Sequence, residues 1–223
     1  MSAIESIVRI FAPHTCLNCG LETDQLLCAG CAEGLTRLPP RCYRCSLPTQ
    51  HYLVCRDCVS HVPFVQVLAY TRYQGLAKNL VHSLKFERAQ AAATEVASLL
   101  TALAPHLPKG AVVTHVPTAT GRVRSRGYDH ARLIARSLAA RVGLPHQALL
   151  ARSGQARQVG AGRAERLQQL QTVFRPVRAD AIRGRHIVLV DDVLTTGATL
   201  ESAASVLLSA GAARVSAVVF ARA

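Results

Sequence analysis

Ile187-Val188-Leu189-Val190-Asp191-Asp192-Val193-Leu194-Thr195-Thr196-Gly197-Ala198-Thr199-Leu200 is the stretch of this 223-residue chain that decides its fold. Four apolar residues, three of them β-branched, predict a buried parallel strand. Two adjacent carboxylates follow where that strand should end. A short run of hydroxyls and one glycine leads into apolar periodicity from Leu200 to Ala210, with Gly211 placed to stop the helix. This order puts backbone N–H groups and the Thr195, Thr196 and Thr199 hydroxyls at the positive end of a helix dipole, a setting that holds phosphate. The paired aspartates can accept hydrogen bonds from vicinal ribose hydroxyls, directly or through Mg²⁺. An ordinary strand-loop-helix junction explains charges at a strand end, but not the Thr-Thr-Gly-x-Thr loop behind them.

Composition narrows the setting. Half of the residues are apolar, Trp is absent and aromatics make up 4%, so the core must be built from Ala, Leu and Val. A chain of this length can bury one medium domain plus a small appendage. No apolar run approaches the ~20 residues needed to cross a bilayer. Residues 1–13 carry neither a basic cluster nor a small-residue cleavage site, which predicts a cytoplasmic location. Ile4, Ile7, Val8 and Phe11 could form one face of a short amphipathic helix there. The formal charge is +13, almost all from arginine, because Lys78, Lys85 and Lys109 are the only lysines. Such an excess suits polyanions: nucleic acid, pyrophosphate or both.

All eight cysteines precede residue 59 and fall in CxxC pairs: Cys16/Cys19, Cys28/Cys31, Cys42/Cys45 and Cys55/Cys58. A CxxC turn sets two thiolates on one side of a knuckle, and two knuckles complete a tetrahedral Zn²⁺ shell. Four pairs predict two Cys₄ sites whose metal supplies folding free energy to segments too short and polar to build a core. Disulfides or redox motifs are the competing reading, disfavoured by the missing secretory segment and the lack of any later cysteine. The Pro39-Pro40 break favours sequential pairing, Cys16/Cys19/Cys28/Cys31 and Cys42/Cys45/Cys55/Cys58, over an interleaved arrangement. His51 and His61 read as bystanders, since eight thiolates fill both shells. Zinc is then structural, with no open position for chemistry.

Between these two signals, His61-Val62-Pro63 reads as a junction dividing a cysteine module, 1–62, from a larger domain, 63–223. Val65 to Tyr73 reads as a strand or hairpin arm. Leu76, Leu80, Val81, Leu84 and Phe86 repeat at helical spacing, and Ala91 to Leu107 forms a second amphipathic helix ended by Pro105 and Pro108. Ala111 to Val116 is another buried strand, followed by Pro117-Thr118-Ala119-Thr120. Gly121 to His130 then brings Arg122, Arg124 and Arg126 together ahead of a helix that Asp129 would cap, and reads as an anion-gripping loop. Arg152 to Arg166 is a second basic, glycine-bearing segment and reads as a lid. A last strand runs from Val215 to Ala221. Strands alternating with helices predict a parallel sheet with its ligand site at the carboxyl ends of the strands.

The stretch Ile187 to Leu200 resembles the phosphoribosyl pyrophosphate (PRPP) motif of type I phosphoribosyltransferases. Together with the CxxC module and the Arg-Gly-Tyr segment, it makes the chain resemble the ComF (ComFC/GntX-like) family from about Cys16 to Ala221. The resemblance implies an α/β fold: a type I phosphoribosyltransferase-like parallel sheet flanked by helices, behind a double zinc ribbon. It implies a role in DNA uptake during natural transformation. It also implies phosphoribosyl binding by Asp191, Asp192, Thr195, Thr196, Gly197, Ala198 and Thr199, the two aspartates being catalytic as well. Pyrophosphate or lid roles fall on Pro117, Thr118, Arg124, Arg126, Gln158, Arg163 and Arg166. The chain departs from the family where Asp129-His130 replaces an Asn-Gln pair and where Gln168-Gln169 follows the Arg-x-x-Arg.

In a transferase, displacement at ribose C1 would pass through an oxocarbenium-like transition state. Mg²⁺ with Arg122, Arg124, Arg126 and Lys85 would then stabilise the leaving pyrophosphate. Asp191, Asp192 and Asp129 are equal candidates for a base. Two alternatives stand beside a PRPP-binding competence protein. One is an active phosphoribosyltransferase of nucleotide metabolism. The other is a non-enzymatic assembly factor that binds single-stranded DNA electrostatically, the aromatic content being too low for extensive base stacking. A competence helicase as partner follows from the resemblance alone.

Overall fold

Four buried strands lie side by side as one parallel sheet. The computed structural model describes residues 14–16, 18–24, 26–84, 89–152 and 173–223. Among them, β1 (His14–Thr15) pairs antiparallel with β2 (Glu22–Thr23), and α1 (Ala29–Glu33) follows between cysteines. Next come β3 (Gln66–Arg72), α2 (Gly75–Ser83), α3 (Ala89–Leu100), β4 (Val112–His115), α4 (Thr120–Arg126) and α5 (His130–Val142). The short strands β5 (Leu150–Arg152) and β6 (Phe174–Pro176) form an antiparallel pair. The chain closes with α6 (Ala179–Ile182), β7 (His186–Leu194), α7 (Ala198–Ser209) and β8 (Arg214–Arg222). Sheet order is β3-β8-β7-β4, every neighbour parallel.

Side chains alternate across a strand, so each strand feeds two cores. Val188, Val190, Val218 and Phe220 face α3 and α5, where Val96, Leu100, Ile134 and Leu138 are fully buried. Ile187, Leu189, Ala217 and Val219 face α7, with Leu200, Ala203, Ala204 and Leu207. Both faces are covered, which is why these strands read as continuous apolar runs rather than alternating ones. The cysteine module joins both cores: Leu26, Leu27 and Tyr52 pack on one side, and Tyr43 packs on the other, edge-on to Phe64. Backbone bonds also cross, from Val54 N–H to the Val65 carbonyl (3.0 Å) and from Leu38 N–H to the Tyr70 carbonyl (2.8 Å).

Three local expectations need correction. The strand does not stop at Val190: β7 runs through both aspartates to Leu194, because β8 continues the ladder, pairing Asp191 with Val219 and Val193 with Ala221. The helix expected to reach Leu107 is α-helical only to Leu100; Thr101–His106 tightens into a 3₁₀ turn containing Pro105. The arginine segment is not a loop but the helix α4, ended by Gly127 in the left-handed region (φ +78°). No helix of the described residues is long and apolar enough to cross a membrane. The expected N-terminal helix, Lys85 and the lid residues Gln158, Arg163 and Arg166 lie outside the described residues.

Candidate functional site

At the carboxyl ends of β4 and β7 a cleft of about 260 Å³ opens between two walls. One wall is the end of β7 and the turn behind it, with Asp191, Asp192, Thr195, Gly197 and Thr199; the other is Pro117, Thr118 and Ala119 after β4. The long ladder of β7 carries the aspartates, and Gly197 takes φ +86° as the N-cap of α7, a turn that an L side chain resists. Ala198 N–H donates to Thr196 Oγ1 at 3.5 Å, while the Thr195 and Thr199 side chains are exposed. Thr196 and Ala198 belong to the same turn without lining the cleft.

The acidic pair is self-bonded through the backbone. Asp192 N–H donates to Asp191 Oδ1 (2.9 Å), and Val193 N–H to Asp192 Oδ1 (2.7 Å). Burial, then the neighbouring Asp192 charge, pushes the Asp191 carboxyl well above its usual range. His130 places Nε2 3.3 Å from Asp192 Oδ2, and the ligand atoms of His130, Asp191 and Asp192 all lie within 4.8 Å of one another. This crowded negative charge, open to a cleft, is a donor set that a divalent cation or ribose hydroxyls would satisfy.

The opposite wall is fixed by one side chain. Asp129 caps α5 by accepting from Arg132 N–H (3.2 Å), as expected, and also accepts from Thr118 N–H (2.9 Å) and the Thr118 hydroxyl (3.0 Å). Behind it His115 and His146 stack at 5.6 Å. Burial holds both rings below the usual imidazole range, His146 at about 4 with help from His115. Arg124 and Arg126 do not line the cleft; they sit on α4, where Arg126 buries Nη1 with no hydrogen-bond partner among the described residues. Two ionisable residues lining the cleft were not singled out as site residues from sequence: His130, visible only as half of an unusual Asp-His pair, and Arg152, whose guanidinium carbon lies 5.5 Å from the Phe174 ring centroid.

Away from the cleft, Cys16, Cys19, Cys28 and Cys31 form one cluster and Cys42, Cys45, Cys55 and Cys58 another, each with sulfurs within 4.8 Å. The pairing is the sequential one, and both clusters fit structural zinc sites. His51 instead meets His106, Nδ1 to Nδ1 at 3.1 Å. Against burial, the backbone amides of Cys19, Cys28 and Asn18 pull the Cys16 thiol down to about 6. Cys42 is held at about 6 in the same way, burial opposing the amides of Cys55, Cys45 and Arg44. Crowding by Cys55, burial, and then Cys45 and Cys42 push Cys58 up to about 12. Four crowded sulfurs whose thiolates repel one another are a shell that a divalent cation would neutralise.

A parallel sheet with a phosphate-type loop at its carboxyl edge, fronted by two Cys₄ knuckle pairs, defines a phosphoribosyltransferase-type domain behind a double zinc ribbon. Comparison with known proteins agrees: the phosphoribosyl transferase domain matches residues 125–223 and the double zinc ribbon domain residues 7–59. DNA utilization protein YhgH of Salmonella typhi is 30% identical over 199 residues, covering 85% of this chain and 87% of its own. Competence protein ComFC of Bacillus subtilis is 29% identical over 205 residues, covering 86% and 82%. The chain belongs to the ComF family. The glutamine PRPP amidotransferase of B. subtilis superposes with a TM-score of 0.44 and 22% identity, over 59% of this chain and 27% of that one.

Proposed function

We propose that the chain binds PRPP with Mg²⁺ in the cleft between residues 117–119 and 191–199, and that it does so in the handling of DNA taken up or used by the cell. The observation that carries the reading is the meeting, in one cleft, of the Thr195–Thr199 turn at the N-terminus of α7 with the Asp191/Asp192 pair and the Pro117–Ala119 backbone. The turn and helix dipole would take the 5-phosphate. The aspartates would take the ribose hydroxyls, and the facing backbone the pyrophosphate. Asp191 and Asp192 would hold Mg²⁺, which supplies charge neutralisation at pyrophosphate. The DNA role extends to this chain what the names of its relatives say of them. The boundary between ribbon module and larger domain is placed near residue 62 on the same reading.

Calorimetric titration with Mg·PRPP tests the site. Asp191→Asn with Asp192→Asn removes the two carboxyls that Mg²⁺ and the ribose hydroxyls would engage, so affinity should fall on the order of a hundredfold. Equal affinity in the double variant overturns the assignment.

A second reading, transfer of the phosphoribosyl group to an acceptor, draws support from His130. An imidazole 3.3 Å from Asp192 and lining the cleft is a base that the sequence alone did not single out. Pyrophosphate release from ¹³C-labelled PRPP, followed by NMR with candidate bases and amines, distinguishes turnover from binding.

A further inference from the structure

The second zinc knuckle reaches the phosphate-type turn. Tyr43 lies between the ligands Cys42 and Cys45, and its Cε2 comes within 3.7 Å of the point where a side chain would leave Gly197. Its hydroxyl donates to Glu201 Oε1 at 2.9 Å, and Arg44 Nη1 lies 3.7 Å from the same oxygen. Glu201 sits in the first turn of α7: its N–H bonds the Gly197 carbonyl at 2.8 Å, and Oε1 is 3.5 Å from the Gly197 side-chain position. A carboxylate there is drawn to the same dipole and amides as a phosphate.

We infer that Glu201 is a built-in competitor for the phosphate, and that Tyr43, fixed by the second zinc cluster, is the positioning residue that holds it aside. The inference rests on the reading of the cleft as a phosphate site. It makes ligand affinity depend on an intact Cys42/Cys45/Cys55/Cys58 cluster more than 130 residues away in sequence. Tyr43→Phe keeps the ring and loses the donor; the freed carboxylate then turns toward Gly197 and Ala198.

The test is titration of the full chain with ribose 5-phosphate, with zinc content checked at two per chain. Tyr43→Phe should weaken binding about five- to tenfold, and adding Glu201→Gln should restore it. No loss in Tyr43→Phe, or a double variant as weak as the single, overturns the inference. If the unaltered chain fails to bind ribose 5-phosphate, the cleft reading falls, and hydrogen exchange in ligand-free protein decides the competitor on its own. There, Tyr43→Phe should slow exchange of the Gly197 and Ala198 amides, and Glu201→Gln should reverse it. Unchanged exchange overturns it.

Discussion

Asp191 and His146 are each held toward the neutral form by burial, the carboxyl shifted up and the imidazole shifted down. Burial and Asp192 raise the Asp191 carboxyl in the folded chain above its unfolded value. The fold therefore keeps a proton that the unfolded chain releases, and stability falls as pH rises from about 4 toward the folded value. Asp191→Asn should therefore raise the stability of ligand-free protein at neutral pH while weakening phosphoribosyl binding; chemical denaturation at pH 7 measures the first effect. His146 is lowered to about 4, by burial and then by His115. Its neutral form contributes fully above pH 6.5, and that contribution drains away as pH falls toward 4. His146→Gln should flatten this acid limb by roughly 1 kcal/mol, since the ring is only half-buried and screened. Asp191 was readable in the sequence because its neighbours have a spacing; His130 was not, because nothing local says which carboxylate a single imidazole will meet.

The elements divide along the same line. Strands and helices with long apolar runs were legible, including the cap at Asp129 and the stop at Gly211. The arginine segment was not: Thr120–Arg126 lacks apolar periodicity and became a helix because Gly127 could close it. The length of β7 was equally hidden, since the nine residues of β8 extend the ladder past the aspartates. Knuckle pairing followed from Pro39-Pro40, whereas the packing of Tyr43 and Phe64 into the sheet core needs coordinates. Because Leu26, Leu27 and Tyr52 share a core with α3 and α5, stripping zinc with a strong chelator should lower the melting temperature of the whole chain. Two independent transitions in calorimetry, with the upper one unmoved, would count against that coupling.

At the scale of the molecule, +13 of formal charge meets a second and larger cleft, about 570 Å³, between the second ribbon and the ends of β3 and β8. Arg41, Arg72 and Arg222 line it. If single-stranded DNA runs through it, affinity should fall linearly in log terms with added salt, and each Arg→Ala should reduce the slope by about 0.7. Fluorescence anisotropy with a labelled oligonucleotide measures this; a salt-independent signal removes direct DNA contact. Charge was legible from composition, but its gathering at one sheet edge depends on which strands lie next to each other.

One carboxylate has a kinetic consequence. Asp129 fastens both the Thr118 N–H and its hydroxyl to the first turn of α5, whose other face is embedded in the core. The cleft therefore has a fixed jaw, and residues 117–119 travel only if a thirteen-residue helix travels with them. Among the described residues, admission and escape of a ligand fall to the Thr195–Thr199 jaw, so the pace of exchange there is set on one side.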